Sequence, residues 1–101
     1  MLSSKNKAEL KRIAHSEDLV KINIGKDLLT NSVIESIENC FSTHELIKIS
    51  FLKSALANKT KQEFILDLIS NLDCDVIQII GNTAIIYREN KDLKNHIILS
   101  R

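Results

Sequence analysis

The sequence contains no proline, only two glycines and two cysteines, and four aromatic residues in 101 positions. The missing proline excludes a proline-rich linker and proline breaks within helices. Cys40 and Cys74 lie far apart and form no metal-binding spacing, so we expect reduced, packed thiols and neither metal nor cofactor. No apolar run approaches the roughly 20 residues of a membrane-spanning helix, and the first ten residues lack the apolar part of a secretion signal. These absences predict a cytoplasmic protein with no membrane partner.

The composition is that of a folded domain, with 44% hydrophobic and 27% charged residues. We expect a single domain over 1–101, with its core at about 2–89. The net charge is only +1, but the charges are unevenly placed. Residues 1–26 carry +3, residues 27–75 carry −4 and residues 76–101 carry +2. This distribution favours a local positive surface on a nearly neutral protein.

Two segments alternate apolar and polar residues with the two-residue period of a strand. They are LVKINI at 19–24 and LIKISFL at 46–52. A third apolar stretch, at 75–89, is interrupted by Gly81-Asn82, a short turn signal that predicts a β-hairpin. The sequence therefore predicts four strands.

Three segments show helical spacing of apolar residues, each with a candidate N-terminal cap. The first begins at the serines of 3–4 and runs to about Ala14. The second begins after Thr30 and ends near Ser42. The third begins at Thr60, where TKQE has the form of a capping box.

The predicted order of elements is α-β-α-β-α-β-β. Strands that alternate with helices are joined by crossovers, which make them parallel, and the final hairpin adds an antiparallel partner. We therefore predict an α/β two-layer sandwich with a mixed four-stranded sheet. Residues 90–101 form either a loose C-terminal tail or a short final strand.

The first predicted helix separates apolar from basic residues. Leu10, Ile13 and Ala14 share one sector of the helix. The opposite sector carries four cations, which are Lys5, Lys7, Lys11 and Arg12. A solvated helix face and a surface for a polyanion both agree with this spacing.

Gly25 lies between the first strand and the second helix, in NIGKDLLTNSV. A glycine before a helix lets backbone N–H groups approach an anion closely, and Lys26 adds a positive charge there. The stretch matches neither the phosphate loop of triphosphatases nor the glycine pattern of dinucleotide-binding folds. A plain turn and an anion site both remain open from these residues.

No arrangement typical of a catalytic or metal site is present. His15, His44 and His96 fall on different elements, without the spacing of a zinc-binding helix. His44-Glu45 comes nearest to acid–base chemistry but has no evident third member. We therefore expect a non-enzymatic protein with no small-molecule substrate. A small enzyme is a third interpretation, which would need a polar pocket holding two of the histidines.

Four stretches share their order and spacing with a known family. They are LSSKNKAELKRIAH at 2–15, INIGKDLLTNSVIESIE at 22–38, HELIKI at 44–49 and VIQIIGNTAIIYR at 76–88. Together they resemble the YhbY-like branch of the CRM domain family, named after chloroplast RNA splicing and ribosome maturation. HELIK and the IG-x-x-x-x-x-YR ending are the most specific pieces. The resemblance implies the fold order given above, similar to the C-terminal domain of translation initiation factor 3.

The resemblance also implies an RNA-binding protein of ribosome assembly, associated with large-subunit precursors. The family's RNA surface includes a G-x-x-G loop after the first strand, which maps onto residues 25–28. Leu28 replaces the second glycine, and Asp27 adds a negative charge. The resulting RNA-binding candidates are Lys5, Lys7, Lys11, Arg12, Gly25, Lys26, Lys48 and Arg88.

The expected partner is ribosomal RNA or a pre-ribosomal particle, bound by a monomer through RNA shape more than bases. Tyr87 would either stack on a base or pack as a half-buried strand residue. The alternative function is a protein-interaction adaptor on the same scaffold without nucleic-acid binding. The near-zero net charge and the acidic middle of the chain favour that alternative.

Overall fold

The computed structural model describes residues 3–16, 19–25, 30–57, 59–93 and 97. The helices and strands in these ranges are α1 (Ser4–Ser16), β1 (Val20–Ile24), α2 (Asn31–Phe41), β2 (Leu46–Phe51), α3 (Lys53–Leu56), α4 (Lys61–Asn71), β3 (Asp75–Ile80) and β4 (Thr83–Tyr87). The predicted order of elements is confirmed. The structure adds the one-turn helix α3, in a segment that the sequence pattern assigned to a connection.

Side chains cap the three longer helices at the predicted positions. Ser3 Oγ accepts a hydrogen bond from the backbone amide three residues later, at 3.1 Å. Thr30 Oγ1 accepts the amide of Val33 at 3.3 Å. At α4, Thr60 and Glu63 form the predicted capping box. These bonds satisfy N–H groups that the first turn of a helix leaves without partners.

The four strands form one mixed sheet in the order β1-β2-β4-β3. β1 and β2 are parallel, whereas β4 is antiparallel to both β2 and β3. Gly81 turns the chain between β3 and β4 with φ +56°, in the left-handed region that glycine tolerates. The predicted hairpin is therefore confirmed, and β1 and β3 lie at opposite edges of the sheet.

The larger apolar core lies between the sheet and the helices α2 and α4. It contains all three phenylalanines of the chain, and the rings of Phe51 and Phe64 stack with their centroids 5.0 Å apart. Phe41 on α2 is also buried there. The aromatic residues of this side therefore serve packing and are not offered to a partner.

A smaller apolar core lies on the other face of the sheet, under α1. Leu10 and Ala14 of α1 are buried in it together with Leu46 and Ile85 of the central strands. β2 and β4 have buried side chains at consecutive positions, so both of their faces require cover. α1 therefore adds a partial third layer to the predicted pair of layers.

Candidate nucleic-acid interface

The helix α1 is fixed over the edge strand β3. Its buried residues Leu10 and Ala14 face the sheet, and the His15 ring hydrogen-bonds to Gln78 of β3, with 3.0 Å between Nε2 and Oε1. The polar side of α1 is consequently turned away from the core.

The four cations of α1 differ in exposure. Lys5 and Arg12 are exposed, whereas Lys7 and Lys11 are half-buried. Lys7 and Lys11 lie four residues apart, so their side chains are neighbours on the helix surface. Long lysine stems cover apolar surface while their ammonium groups reach water. All four charges are therefore placed along the outer and lateral sides of one fixed helix.

The ion pairs found among the described residues do not involve these four cations. They join Lys59 to Asp67, Arg88 to Glu38 at 2.7 Å and Lys91 to Glu89 at 3.7 Å. In the part of the chain that the structure describes, no carboxylate lies within ion-pair distance of the α1 cations.

Charge is separated across the sheet. The α1 sequence has four Lys or Arg and one Glu. On the other side of the sheet, α2 has two Glu and no Lys or Arg, α3 has one Lys, and α4 has one Lys, one Glu and one Asp. The fold thus places a basic helix on one face and an acidic helix layer on the other, which the net charge of +1 conceals.

Gly25 follows β1, beside the end of β2. The Leu52 amide donates to the Ile24 carbonyl at 2.9 Å, which holds α3 next to this point. A Cβ on Gly25 would lie 3.4 Å from Leu52 Cδ1 and 3.8 Å from Ser54 Oγ, both ordinary contacts. Lys26 and the rest of the predicted G-x-x-G loop lie outside the described residues. β1 and β3 are opposite edges, so α1 and Gly25 lie near opposite edges of the sheet.

Lys48 lies on β2 and is half-buried. Strand alternation puts its side chain on the α1 side, since Leu46 packs under α1 and Ile47 packs on the opposite face. Its neighbour in the parallel register is Lys21 of β1, an exposed residue that the sequence analysis did not select. The available signal was a lysine at the third position of both LVKINI and LIKISFL.

Arg88 is engaged inside the protein. Nη1 and Nη2 donate to the two carboxylate oxygens of Glu38 at 2.8 and 2.7 Å, and Nε donates to the Asp73 carbonyl at 2.7 Å. The guanidinium also lies 4.5 Å from the ring centroid of Phe41. These contacts join the end of β4 to α2 and to the start of β3. That Arg88 contacts RNA stays a prediction, whereas its contacts within the fold give it a structural role.

Glu45 of the HELIK stretch is a buried carboxylate, 4% exposed. Its Oε2 accepts the backbone amide of Asn90 at 2.9 Å, and its Oε1 accepts that of Ile97 at 2.6 Å. Ile97 packs against the core under α1. Glu45 therefore fixes Asn90 and Ile97, a role that the sequence analysis did not foresee.

Tyr87 and the histidines do not form a further site in the part of the chain that the structure describes. Tyr87 is 3% exposed, and burial raises its pKa to about 12, so its ring is not presented to a base. His44 Nδ1 hydrogen-bonds to Thr43 Oγ1 at 2.9 Å, and His96 is outside the described residues. Among the residues described, no group of three or more His, Cys, Asp or Glu is arranged for a metal ion, and no helix is long and apolar enough to cross a bilayer.

Comparison with known proteins connects this geometry to a family. The model of the CRS1/YhbY (CRM) domain matches residues 2–88. This chain belongs to the CRM domain family. The match includes α1, the Gly25 position and both lysine-bearing strands, so the predicted family is confirmed.

Relatives of this CRM domain protein match it over nearly their full length. The Probable RNA-binding protein PA4753 of Pseudomonas aeruginosa is 35% identical, with 99% of this chain and 94% of that protein covered. The RNA-binding protein of Haemophilus influenzae is 33% identical, with coverages of 92% and 91%. The solution structure of SAV1595 from Staphylococcus aureus has a TM-score of 0.74 and 31% identity, and covers 99% of this chain and 100% of that one.

The two glycines of this CRM domain are expected to respond differently to alanine. Gly81→Ala should lower the free energy of unfolding by about 1 kcal/mol, because φ is +56° although no atom lies within 4 Å of the new Cβ. Gly25→Ala should have little effect on stability, because its Cβ makes ordinary contacts. Urea unfolding of both variants measures this difference. Equal losses would contradict it.

Proposed function

We propose that this CRM domain protein binds RNA phosphates through the basic side of α1 and acts without catalysis in ribosome assembly. The observation that carries the proposal is the separation of charge, with four cations on α1 and an acidic layer behind the sheet. Phosphate contacts supply most of the affinity that does not depend on sequence. The relatives carry the names RNA-binding protein or Probable RNA-binding protein, and these names support the same conclusion.

The proposed RNA contacts extend from α1 to the loop after β1. They comprise Lys5, Lys7, Lys11, Arg12, Gly25, Lys26 and Lys48, with Arg88 assigned a mainly structural part. The exposure of Lys5 and Arg12 supports α1, and the position of Lys48 on the α1 side of the sheet supports its inclusion. The hydrogen bond from the Leu52 amide to the Ile24 carbonyl, next to Gly25, supports a fixed position for this glycine at the end of β1.

Recognition is proposed to depend on RNA shape more than on base identity. All three phenylalanines and Tyr87 pack in the two cores, so base stacking should contribute little to the binding of RNA. Lysine and arginine contacts to phosphates position a protein without reading bases. Ribosomal RNA or a large-subunit precursor, bound by a monomer in the cytoplasm, fits this mode.

Removing three of the α1 charges tests the proposal. Lys7→Gln, Lys11→Gln and Arg12→Gln together should weaken binding to a transcript of large-subunit ribosomal RNA about 150-fold, because three lost phosphate contacts at roughly 1 kcal/mol each amount to about 3 kcal/mol. The slope of log affinity against log salt should shrink by about 2. Glutamine keeps a helix-forming side chain, so α1 should persist. Fluorescence anisotropy at several KCl concentrations measures both quantities.

A matched triple variant removes the same charge elsewhere. Lys59, Lys61 and Lys91 lie outside α1, β1 and β2, and their replacement by glutamine should leave most of the affinity intact. Equal losses of RNA affinity in the two triple variants would show that only the net charge of the protein matters. An unchanged affinity of the α1 variant would reject the basic surface. Thermal unfolding of both variants verifies that they remain folded.

The cellular partner is tested by sedimentation of cell extract. The protein should migrate with a large-subunit precursor in a low-salt sucrose gradient and return to the top of the gradient at high salt, because phosphate contacts are screened. The α1 triple variant should stay at the top in both conditions. Wild-type protein at the top in low salt would contradict the ribosomal assignment.

A protein-interaction adaptor is the second candidate. The acidic side of the sheet supports it, since α4 exposes Leu66 to 66% and Ile69 to 46% beside the acidic residues of this layer. Such a surface suits a partner with basic and apolar residues. Absence of salt-dependent RNA binding by the wild-type protein would favour the adaptor over the RNA-binding function.

A further inference from the structure

Part of the sheet on the α1 side has a polar surface. Leu19 packs under α1, whereas Val20, Ile22 and Ile24 pack on the opposite face. Side chains of a strand alternate between faces, so Lys21 belongs to the α1 side. The same alternation puts Asn23 of β1, Ser50 of β2 and Thr83 of β4 on this side.

One cross-strand row connects α1 to the far edge of the sheet. Lys21 is in register with Lys48, Lys48 with Ile85, and Ile85 with Gln78. Gln78 is the residue that hydrogen-bonds to His15 of α1. Neighbouring strands lie about 5 Å apart, so the row spans roughly 15 Å from β3 to β1. The two lysines occupy the half of this row that extends beyond Ile85, which is buried under α1.

The two lysines form a like-charge pair. Adjacent cations on neighbouring strands repel each other and destabilise a sheet slightly. Within the described ranges, neither lysine has a carboxylate at ion-pair distance, because the three ion pairs there use other cations. The next row, Asn23, Ser50 and Thr83, contributes hydrogen-bonding groups and no acid. The surface is therefore complementary to an anionic chain.

We propose that the open face of β1 and β2, with Lys21 and Lys48 at its centre, is the middle part of the RNA interface. The phosphodiester backbone of RNA crosses it from α1 to Gly25 at the end of β1. This inference rests on the proposed function and supplies its missing connection, since α1 and Gly25 lie at opposite edges of the sheet. The proposal adds Lys21 to the RNA-binding residues.

Charge complementarity favours RNA over a protein at this face. Its two cations and three neutral polar groups suit a polyanion, whereas a protein interface is anchored by large apolar and aromatic side chains. Of the exposed large apolar residues in the described chain, Leu66 and Ile69 lie on α4, whereas Ile80 is in register with Thr83 at the β3 edge of this face and Leu52 directly follows β2.

The first test removes the lysine pair. Lys21→Gln with Lys48→Gln should weaken binding of the large-subunit ribosomal RNA transcript about 10-fold or more and reduce the salt slope by about 1.4 to 1.8, which corresponds to two phosphates. Lys21→Gln alone should leave the melting temperature equal or higher, because it relieves the repulsion. Lys61→Gln, on the acidic side of the sheet, is the single-charge control and should leave affinity nearly unchanged.

The second test adds a negative charge by an isosteric change. Asn23→Asp on the open face should weaken RNA binding several-fold, because a carboxylate repels phosphate. Asn39→Asp on α2, also at an exposed position, makes the same chemical change behind the sheet and should have little effect. Anisotropy titrations at equal salt compare the two variants directly.

The outcomes separate this inference from the proposed function. If the wild type binds RNA, the α1 triple variant loses affinity and the Lys21/Lys48 and Asn23 variants do not, the open face is excluded and the function stands. If Asn23→Asp and Asn39→Asp lose affinity equally, the effect is one of net charge and the open face is likewise excluded. If the wild type shows no salt-dependent RNA binding, both proposals fall.

Discussion

Replacement of Glu45 by alanine is expected to lower the free energy of unfolding by about 3 kcal/mol or more. The carboxylate is 4% exposed and accepts the amides of Asn90 and Ile97. Alanine would leave these N–H groups without their acceptors, and an unsatisfied buried donor costs about 1 to 3 kcal/mol. Urea unfolding measures the loss, and hydrogen exchange at the Ile97 amide should accelerate.

The neighbouring residue provides the control for Glu45. His44→Ala removes an exposed side chain whose hydrogen bond goes to adjacent Thr43, so we expect a change within about 0.5 kcal/mol. Glu45→Gln should fall between wild type and alanine, since its amide keeps one acceptor oxygen. A stable Glu45→Ala variant with unchanged exchange at Ile97 would show that the C-terminal segment is held by other contacts.

Arg88→Ala is expected to lower the free energy of unfolding by about 2 to 3 kcal/mol. The side chain makes a two-bond pair with Glu38, a bond to the Asp73 carbonyl and a contact with the Phe41 ring. Such paired, charge-assisted hydrogen bonds exceed an ordinary surface ion pair in strength. Arg88→Lys keeps the charge but loses the planar fork, so an intermediate loss is expected.

The Arg88–Glu38 pair should also be visible in the dependence of stability on pH. The hydrogen bond from Arg88 holds the pKa of Glu38 below its ordinary value of 4.5. Because the folded pKa is the lower one, the pair stabilises the fold above about pH 4.5 and loses this contribution as pH falls through the folded pKa. Acidification should therefore lower the melting temperature of wild type more than that of Glu38→Gln. Parallel curves would contradict this.

Arg88→Lys also decides between the two roles of this residue. If Arg88 acts inside the fold, the folded variant should keep its affinity for the ribosomal RNA transcript despite its lower stability. A loss of affinity at a temperature where the variant is fully folded would restore Arg88 to the RNA-binding set.

The fold was predictable because its signals are local. Thr30 and the Thr60–Glu63 box mark helix starts, and the Gly81 turn marks the hairpin. α3 was missed because it is a single turn after Leu52, whose side chain makes no cap hydrogen bond. The positions of the α1 cations also follow from helical spacing, whereas their contact with RNA stays a prediction.

The functional candidates were less predictable because they depend on distant residues. Lys21 and Lys48 are brought side by side by the parallel register, and the sequence analysis selected only Lys48. Glu45 and Arg88 lie in specific family stretches, and their partners are 15 to 52 residues away in the chain. No spacing rule connects such pairs.

By itself, the sequence determined the types and order of the helices and strands, the amphipathic basic character of α1 and the family. Each of these depends on neighbouring residues or on motifs read in order. Only the tertiary structure decided that α1 lies on the face opposite α2 and α4, that charge is divided across the sheet, and that Glu45 and Arg88 are used internally. These features result from packing and strand register, which pair residues that are remote in the chain.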